Sequence, residues 1–158
     1  MDLPIIKELQ SVYNIHWIVI LRPKDGENTK AYIDDTLGND KMLYISYEWQ
    51  KHRMRSLKNI FFIFNLIRKI KNDNSDVYYT SEYAMPCGIW FYKWLLPIGK
   101  TIAACHNVTT PNGASNENFV RFYTAKWLST FSNIQTFSNS QKKALLNKYD
   151  NKNVLMEN

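Results

Sequence analysis

The sequence predicts an α/β protein with a Rossmann-like parallel sheet covered by helices on both faces. Short apolar runs of strand length alternate with amphipathic helical patterns along the chain, an order typical of parallel sheets. Apolar residues make up 45% and aromatic residues 15% of the 158 residues, which is enough for a real core and excludes a disordered chain. We therefore expect one domain spanning residues 1–158.

Six apolar runs have the length and composition of strands: 15–21, 42–47, 76–80, 101–105, 133–137 and 153–156. Helical spacing of apolar residues predicts helices at the start of the chain, after Asp2, and in four later segments: 56–72, 89–96, 118–131 and 141–149. The turn-rich segment 22–28 predicts a loop. The chain opens on a helix and stops on a strand, so we expect a piece of a longer protein.

The residues that could hold a metal or act as a nucleophile are few. Cys87 and Cys105 are the only cysteines, and both are expected to be buried free thiols rather than a disulfide. The three histidines lack metal-ligand spacing with either cysteine. No glycine-rich phosphate loop, dinucleotide fingerprint or nucleophile elbow is present. The sequence thus predicts no metal and no cofactor.

The charge of the chain points to anionic partners. Its net charge is +6, which favours phosphates, nucleic acid or an anionic membrane surface. The first ten residues carry charges rather than a secretory signal, and the longest apolar run, 60–64, is far too short to span a bilayer. We expect a cytoplasmic location, or a peripheral position on the inner face of the membrane.

Polar residues follow the predicted strands at the edge where parallel sheets collect function. They are Ser81, Glu82, His106, Asn107 and Ser138. A less specific interpretation exists for several of them. A histidine at a strand end can simply bind a loop carbonyl, Glu82 suits a solvated turn, and Ser138 forms a capping box with Gln141 before the last helix. On an ideal strand Cys105 and His106 point to opposite sides, which argues against a cysteine–histidine pair.

A basic and aromatic stretch at 48–62 is a candidate membrane-facing segment. Basic side chains attract anionic headgroups, and exposed aromatic rings enter the interface. The residues concerned are Trp49, Lys51, Arg53, Arg55, Lys58 and Phe62. The alternative is a solvated basic loop with the phenylalanines packed on a neighbouring domain. No motif for reading DNA or RNA supports nucleic-acid binding.

The order of three segments resembles a known family. DVYYTSEY, KTIAACHNV and NIQTFSNSQKKALLNKYDNKNVLM are similar to the N-terminal domain of family 4 glycosyltransferases of the two-domain GT-B type. The matching positions are Asp76, Lys100, His106, Ser138, Lys142, Leu145 and Tyr149. The resemblance covers residues 1–156, and its individual motifs are short; Asn107 stands where the family often has Asp.

The resemblance implies an acceptor-side half, cut at both ends, of a glycosyltransferase that transfers a sugar from a nucleotide-sugar to a polysaccharide or lipid-linked acceptor. It places His106 near the transferred sugar and the acceptor, and assigns the nucleotide-sugar to a missing C-terminal domain that uses no metal. We assign Glu82 to an acceptor hydroxyl or its proton, and Asn107, Ser81 and Ser138 to substrate binding. The rivals are a non-catalytic membrane- or partner-binding domain and an unrelated flavodoxin-like binding domain.

Overall fold

The computed structural model describes residues 3–37, 41–53, 56–81, 88–109, 117–149 and 152–156. It is an α/β structure in which helices alternate with strands, and every strand pairing is parallel, as the sequence predicts. The elements in chain order are α1 (Leu3–Leu9), β1 (Ile15–Leu21), α2 (Gly26–Leu37), β2 (Leu43–Trp49), α3 (Leu57–Asn72), β3 (Tyr78–Thr80), α4 (Gly88–Leu95), a 3₁₀ turn (Ile98–Lys100), β4 (Thr101–Cys105), α5 (Glu117–Thr130), β5 (Asn133–Thr136), α6 (Asn139–Leu146) and β6 (Asn153–Met156).

The strands pair in two sheets that belong to two compact units. In the unit Met1–Asn59, β1 pairs with β2. In the unit Ile60–Asn158, four strands lie side by side in the order β3–β4–β5–β6. Apolar pattern identifies strands but not their hydrogen-bonding partners, so the division into two sheets was not visible in the sequence. The expectation of a single domain stays a prediction.

The first unit contains a helix that the sequence analysis missed. The segment after β1 was expected to be a loop at 22–28, but α2 begins at Gly26. Its buried positions are Gly26, Ile33 and Leu37, so only two large apolar side chains anchor the helix. They pack with Ile6 and Leu43 in the small core of this unit. So sparse an apolar stripe gives a weak helical signal.

The core of the second unit lies between one face of its sheet and three helices. Ala103, Cys105 and Ile134 come from β4 and β5. The helices α4, α5 and α6 contribute Ile89, Trp127 and Leu145, and further buried side chains are Val108, Tyr123, Leu128 and Phe131. The ring of Trp127 meets those of Tyr92 and Phe131 edge to face at 5.7 and 4.6 Å. This packing holds β4 and β5 in place and so fixes what lies at their carboxyl ends.

Within the described part of the chain, no helix combines the length and the apolar character that crossing a membrane requires. Cys105 is a buried free thiol, as expected, whereas Cys87 lies outside the described residues.

Candidate functional site

Strand register decides which side chains meet at the carboxyl edge of the four-stranded sheet. In β4 and β5, Cys105 lies level with Thr136. The next residues, His106 and Phe137, therefore leave neighbouring strands at the same height. β3 ends earlier, because Thr80 pairs with Ala103. Parallel sheets display functional side chains at this edge.

The rings of His106 and Phe137 form a stack at this edge. Their centroids are 4.4 Å apart and their planes differ by 7°. Both residues are exposed, and Phe137 keeps 37% of its surface accessible. An exposed phenylalanine held flat against a histidine offers a rigid apolar surface with a polar ring beside it.

The helix α6 begins directly beside the stack. Ser138 is its N-cap: the hydroxyl accepts a hydrogen bond from the Gln141 amide at 3.3 Å. The hydroxyl also lies 3.0 Å from that of Ser140. The expected capping at Ser138 is thus present, and it orients the hydroxyl without removing it from solvent.

The other half of the expected capping box is replaced by a longer-range bond. The side chain of Gln141 makes a hydrogen bond outside its own helix, because its Oε1 accepts from the Val108 amide at 2.6 Å. Val108 is itself buried, and it lies two residues beyond His106. This bond ties the segment after β4 to the start of α6, and so fixes both sides of the stack.

Cys105 is part of the core rather than of the site. It is 1% exposed, and burial raises the pKa of its thiol to about 11, with an opposing contribution from the Asn107 backbone. A thiol of such high pKa is a poor nucleophile at neutral pH. His106, the next residue, is exposed.

The structure brings three of the predicted binding residues to one place. His106, Asn107 and Ser138 are all exposed at the adjoining ends of β4 and β5. Ser81 follows the shorter strand β3 and is half-buried, whereas Glu82 lies outside the described residues. Sequence reasoning missed Phe137, which it placed inside the strand. A large apolar residue immediately before a helix cap was the available signal.

The basic stretch is described only in part. Lys51, Arg53 and Lys58 are exposed, and Arg55 lies outside the described residues. Trp49 is half-buried and packs over Gly26, where a Cβ atom would stand 2.6 Å from Cζ3 of the indole.

In α3, Phe62 is half-buried, and the neighbouring Phe61 is 67% exposed. Its exposed neighbours one turn away on the helix are Leu57, Lys58 and Asn65, and with 67% exposure Phe61 is not part of a core.

Among the described residues, no three His, Cys, Asp or Glu side chains gather closely enough to hold a metal ion. Comparison of the chain with protein-family models, with curated proteins and with solved structures finds no match in any of the three.

Proposed function

We propose that the chain is the acceptor-side domain of a glycosyltransferase, and that the His106–Phe137 stack is where a sugar ring of the acceptor or of the transferred group is held. The single observation that carries this proposal is the exposed stack at the carboxyl edge of a parallel sheet. The resemblance of the segments around His106 and Ser138 to GT-B enzymes supports it independently of the geometry.

The chemistry of a sugar fits the stack. A pyranose ring has an apolar face of C–H groups that packs well on an aromatic ring, and an equator of hydroxyls that need hydrogen-bond partners. The Phe137 ring supplies the apolar surface. The imidazole of His106, the amide of Asn107 and the hydroxyl of Ser138 supply donors and acceptors around it, all of them exposed.

On this proposal the reaction moves a sugar from a nucleotide-sugar to a hydroxyl of a glycan or a lipid-linked acceptor. His106 contacts the sugar or the acceptor hydroxyl, and positioning of the two reactants supplies much of the rate. Glu82 remains the proposed partner of the acceptor hydroxyl, with Ser81 beside it in sequence. The resemblance assigns the nucleotide to a second domain.

Titration calorimetry of the full chain with acceptor glycans and soluble lipid-linked analogues tests the proposal. Wild-type protein should bind at least one glycan, and Phe137→Ala and His106→Ala should each weaken that binding by about tenfold, or roughly 1.4 kcal/mol. Tyr32→Ala is the matched control, because Tyr32 is an aromatic residue with 64% exposure in the other unit. Equal affinity of the three variants and wild type would refute a sugar site at the stack.

A second candidate function is membrane association without catalysis. The observation that favours it is the exposure of Lys51, Arg53 and Lys58 in one short stretch. Each basic residue near an anionic surface contributes on the order of 1 kcal/mol, and salt screens that attraction. Replacing these three residues and Arg55 by Gln should reduce sedimentation with anionic vesicles at low salt. Unchanged sedimentation would mean a solvated loop.

A further inference from the structure

The solvent sides of α4 and α5 carry large aromatic side chains that are well exposed, although one of them, Phe119, also stacks on the core residue Tyr123 at 5.8 Å. On α4, Trp94 is 71% and Trp90 is 42% exposed. On α5, Phe122 is 61% and Phe119 is 45% exposed. Large aromatic side chains with this much exposure are unusual on the surface of a protein that contacts only water. Clusters of exposed apolar groups mark interaction sites.

These four side chains lie on the solvent sides of two helices that pack against each other. Each helix already has a separate buried side: Ile89 and Tyr92 in α4, Tyr123 and Trp127 in α5. The two helices pack side by side through the Tyr92–Trp127 ring contact at 5.7 Å, over the same face of the sheet. With spacings of four in α4 and three in α5, the exposed rings of each helix stand together on the side away from that core.

The two helices that carry these rings are mostly basic. The segments 88–95 and 117–130, which form α4 and α5, hold three Lys or Arg and one acidic residue. That acidic residue, Glu117, is paired with Arg121 on its own helix. Lys93 is next to Trp94 in sequence, Lys126 lies one turn after Phe122, and both are exposed.

We propose that Trp90, Trp94, Phe119 and Phe122, with Lys93 and Lys126, form an aromatic–basic surface that docks on an anionic lipid bilayer. Indole and phenyl rings are most stable at the boundary between headgroups and acyl chains. Lysines at the same level bind the anionic headgroups while their stems lie along the apolar boundary. This surface uses none of the residues at the sheet edge and none from 49–58, so it does not rest on sugar transfer.

Sedimentation of the full chain with vesicles tests the surface. Wild-type protein should bind vesicles of phosphatidylcholine with phosphatidylglycerol and should bind pure phosphatidylcholine weakly. Trp90→Ala with Trp94→Ala should lower the affinity for the anionic vesicles by about tenfold or more, since two interfacial anchors are lost. Tyr32→Ala, an equally exposed aromatic residue of α2, should leave it unchanged. Far-UV circular dichroism verifies that each variant is folded.

Two further experiments distinguish binding to a bilayer from binding to other partners. Lys93→Glu with Lys126→Glu should reduce binding to anionic vesicles and leave binding to phosphatidylcholine unaltered. Lipids brominated near the headgroup should quench wild-type tryptophan fluorescence and quench the double tryptophan variant much less. Absence of vesicle binding, or full binding by the double tryptophan variant, overturns the proposal. Binding of single-stranded RNA that is lost in the tryptophan variant, without vesicle binding, would assign the surface to nucleic acid instead.

Discussion

Two adjacent residues show how burial changes abruptly at a strand end. Cys105 is the last residue of β4 and is enclosed by the core, while His106 is the first residue beyond it and is exposed. Successive residues of a strand point to opposite sides, and only His106 lies beyond the end of the strand. The difference in exposure between Cys105 and His106 was predictable from sequence, because alternation is a local rule. The partner of His106 was not, because Phe137 is distant in the chain.

Cys105 should make the stability of the protein fall at alkaline pH. Burial raises the pKa of its thiol from 9.0 to about 11, so the folded state keeps its proton where the unfolded state has lost it. The unfolded state then binds fewer protons, and the free energy of unfolding falls as pH rises from about 9 to about 11. Urea unfolding of wild type and Cys105→Ala across this range measures the effect. The difference between the two proteins should shrink with rising pH; a constant difference contradicts the buried thiol.

Gly26 should resist substitution because of Trp49. A Cβ at this position would lie 2.6 Å from the indole Cζ3 and 3.0 Å from Cβ of Leu21. Gly26→Ala should cost about 1–3 kcal/mol, the usual penalty of overpacking. The matched control is Gly99→Ala, since nothing lies within 4 Å of a Cβ placed there. Denaturant midpoints of the two variants give the comparison, and equal midpoints would mean that the indole moves aside freely.

At the level of elements, α6 both stabilises and positions the candidate site. The Ser138 hydroxyl accepts a hydrogen bond from the Gln141 amide in its first turn, and the Gln141 side chain accepts one from the Val108 amide beyond β4. The capping pattern Ser138–Gln141 was readable because it spans three residues. Only the bond from the Gln141 amide to the Ser138 hydroxyl is local. The Gln141 side chain instead accepts from the Val108 amide, which is distant in the sequence. The helix α2 was missed for a related reason. It has few apolar residues, and they are buried only by packing in a core that includes residues of β1 and β2.

Ser138 permits capping and sugar contact to be separated. Ser138→Ala should lower stability by about 1 kcal/mol through loss of the N-cap, and Ser138→Asp should restore it because aspartate caps equally well. Thermal unfolding measures this part. If the hydroxyl also contacts a sugar, Ser138→Asp should remain impaired in glycan binding despite normal stability. Normal binding by a stable Ser138→Asp protein would restrict the residue to its capping role.

At the level of the whole molecule, the chain joins a two-stranded and a four-stranded parallel sheet, each with its own core. The alternation of helices and strands was predictable because each element has its own periodicity. The pairing into two sheets depends on contacts between distant segments and could not be read from those patterns. The candidate site lies within one sheet, since His106, Phe137 and Ser138 all belong to the unit Ile60–Asn158.

A two-dimensional NMR titration of the isotope-labelled full chain with the tightest-binding acceptor glycan tests the proposed sugar site most directly. A sugar held at the stack should cause saturable shifts at His106, Asn107, Phe137 and Ser138, and also at the amide of Gln141 because that amide is hydrogen-bonded to Ser138. These shifts should vanish in Phe137→Ala and persist in Tyr32→Ala. A glycan that saturates the protein while leaving the signals of His106 and Phe137 unmoved would show that this edge of the sheet does not hold the sugar.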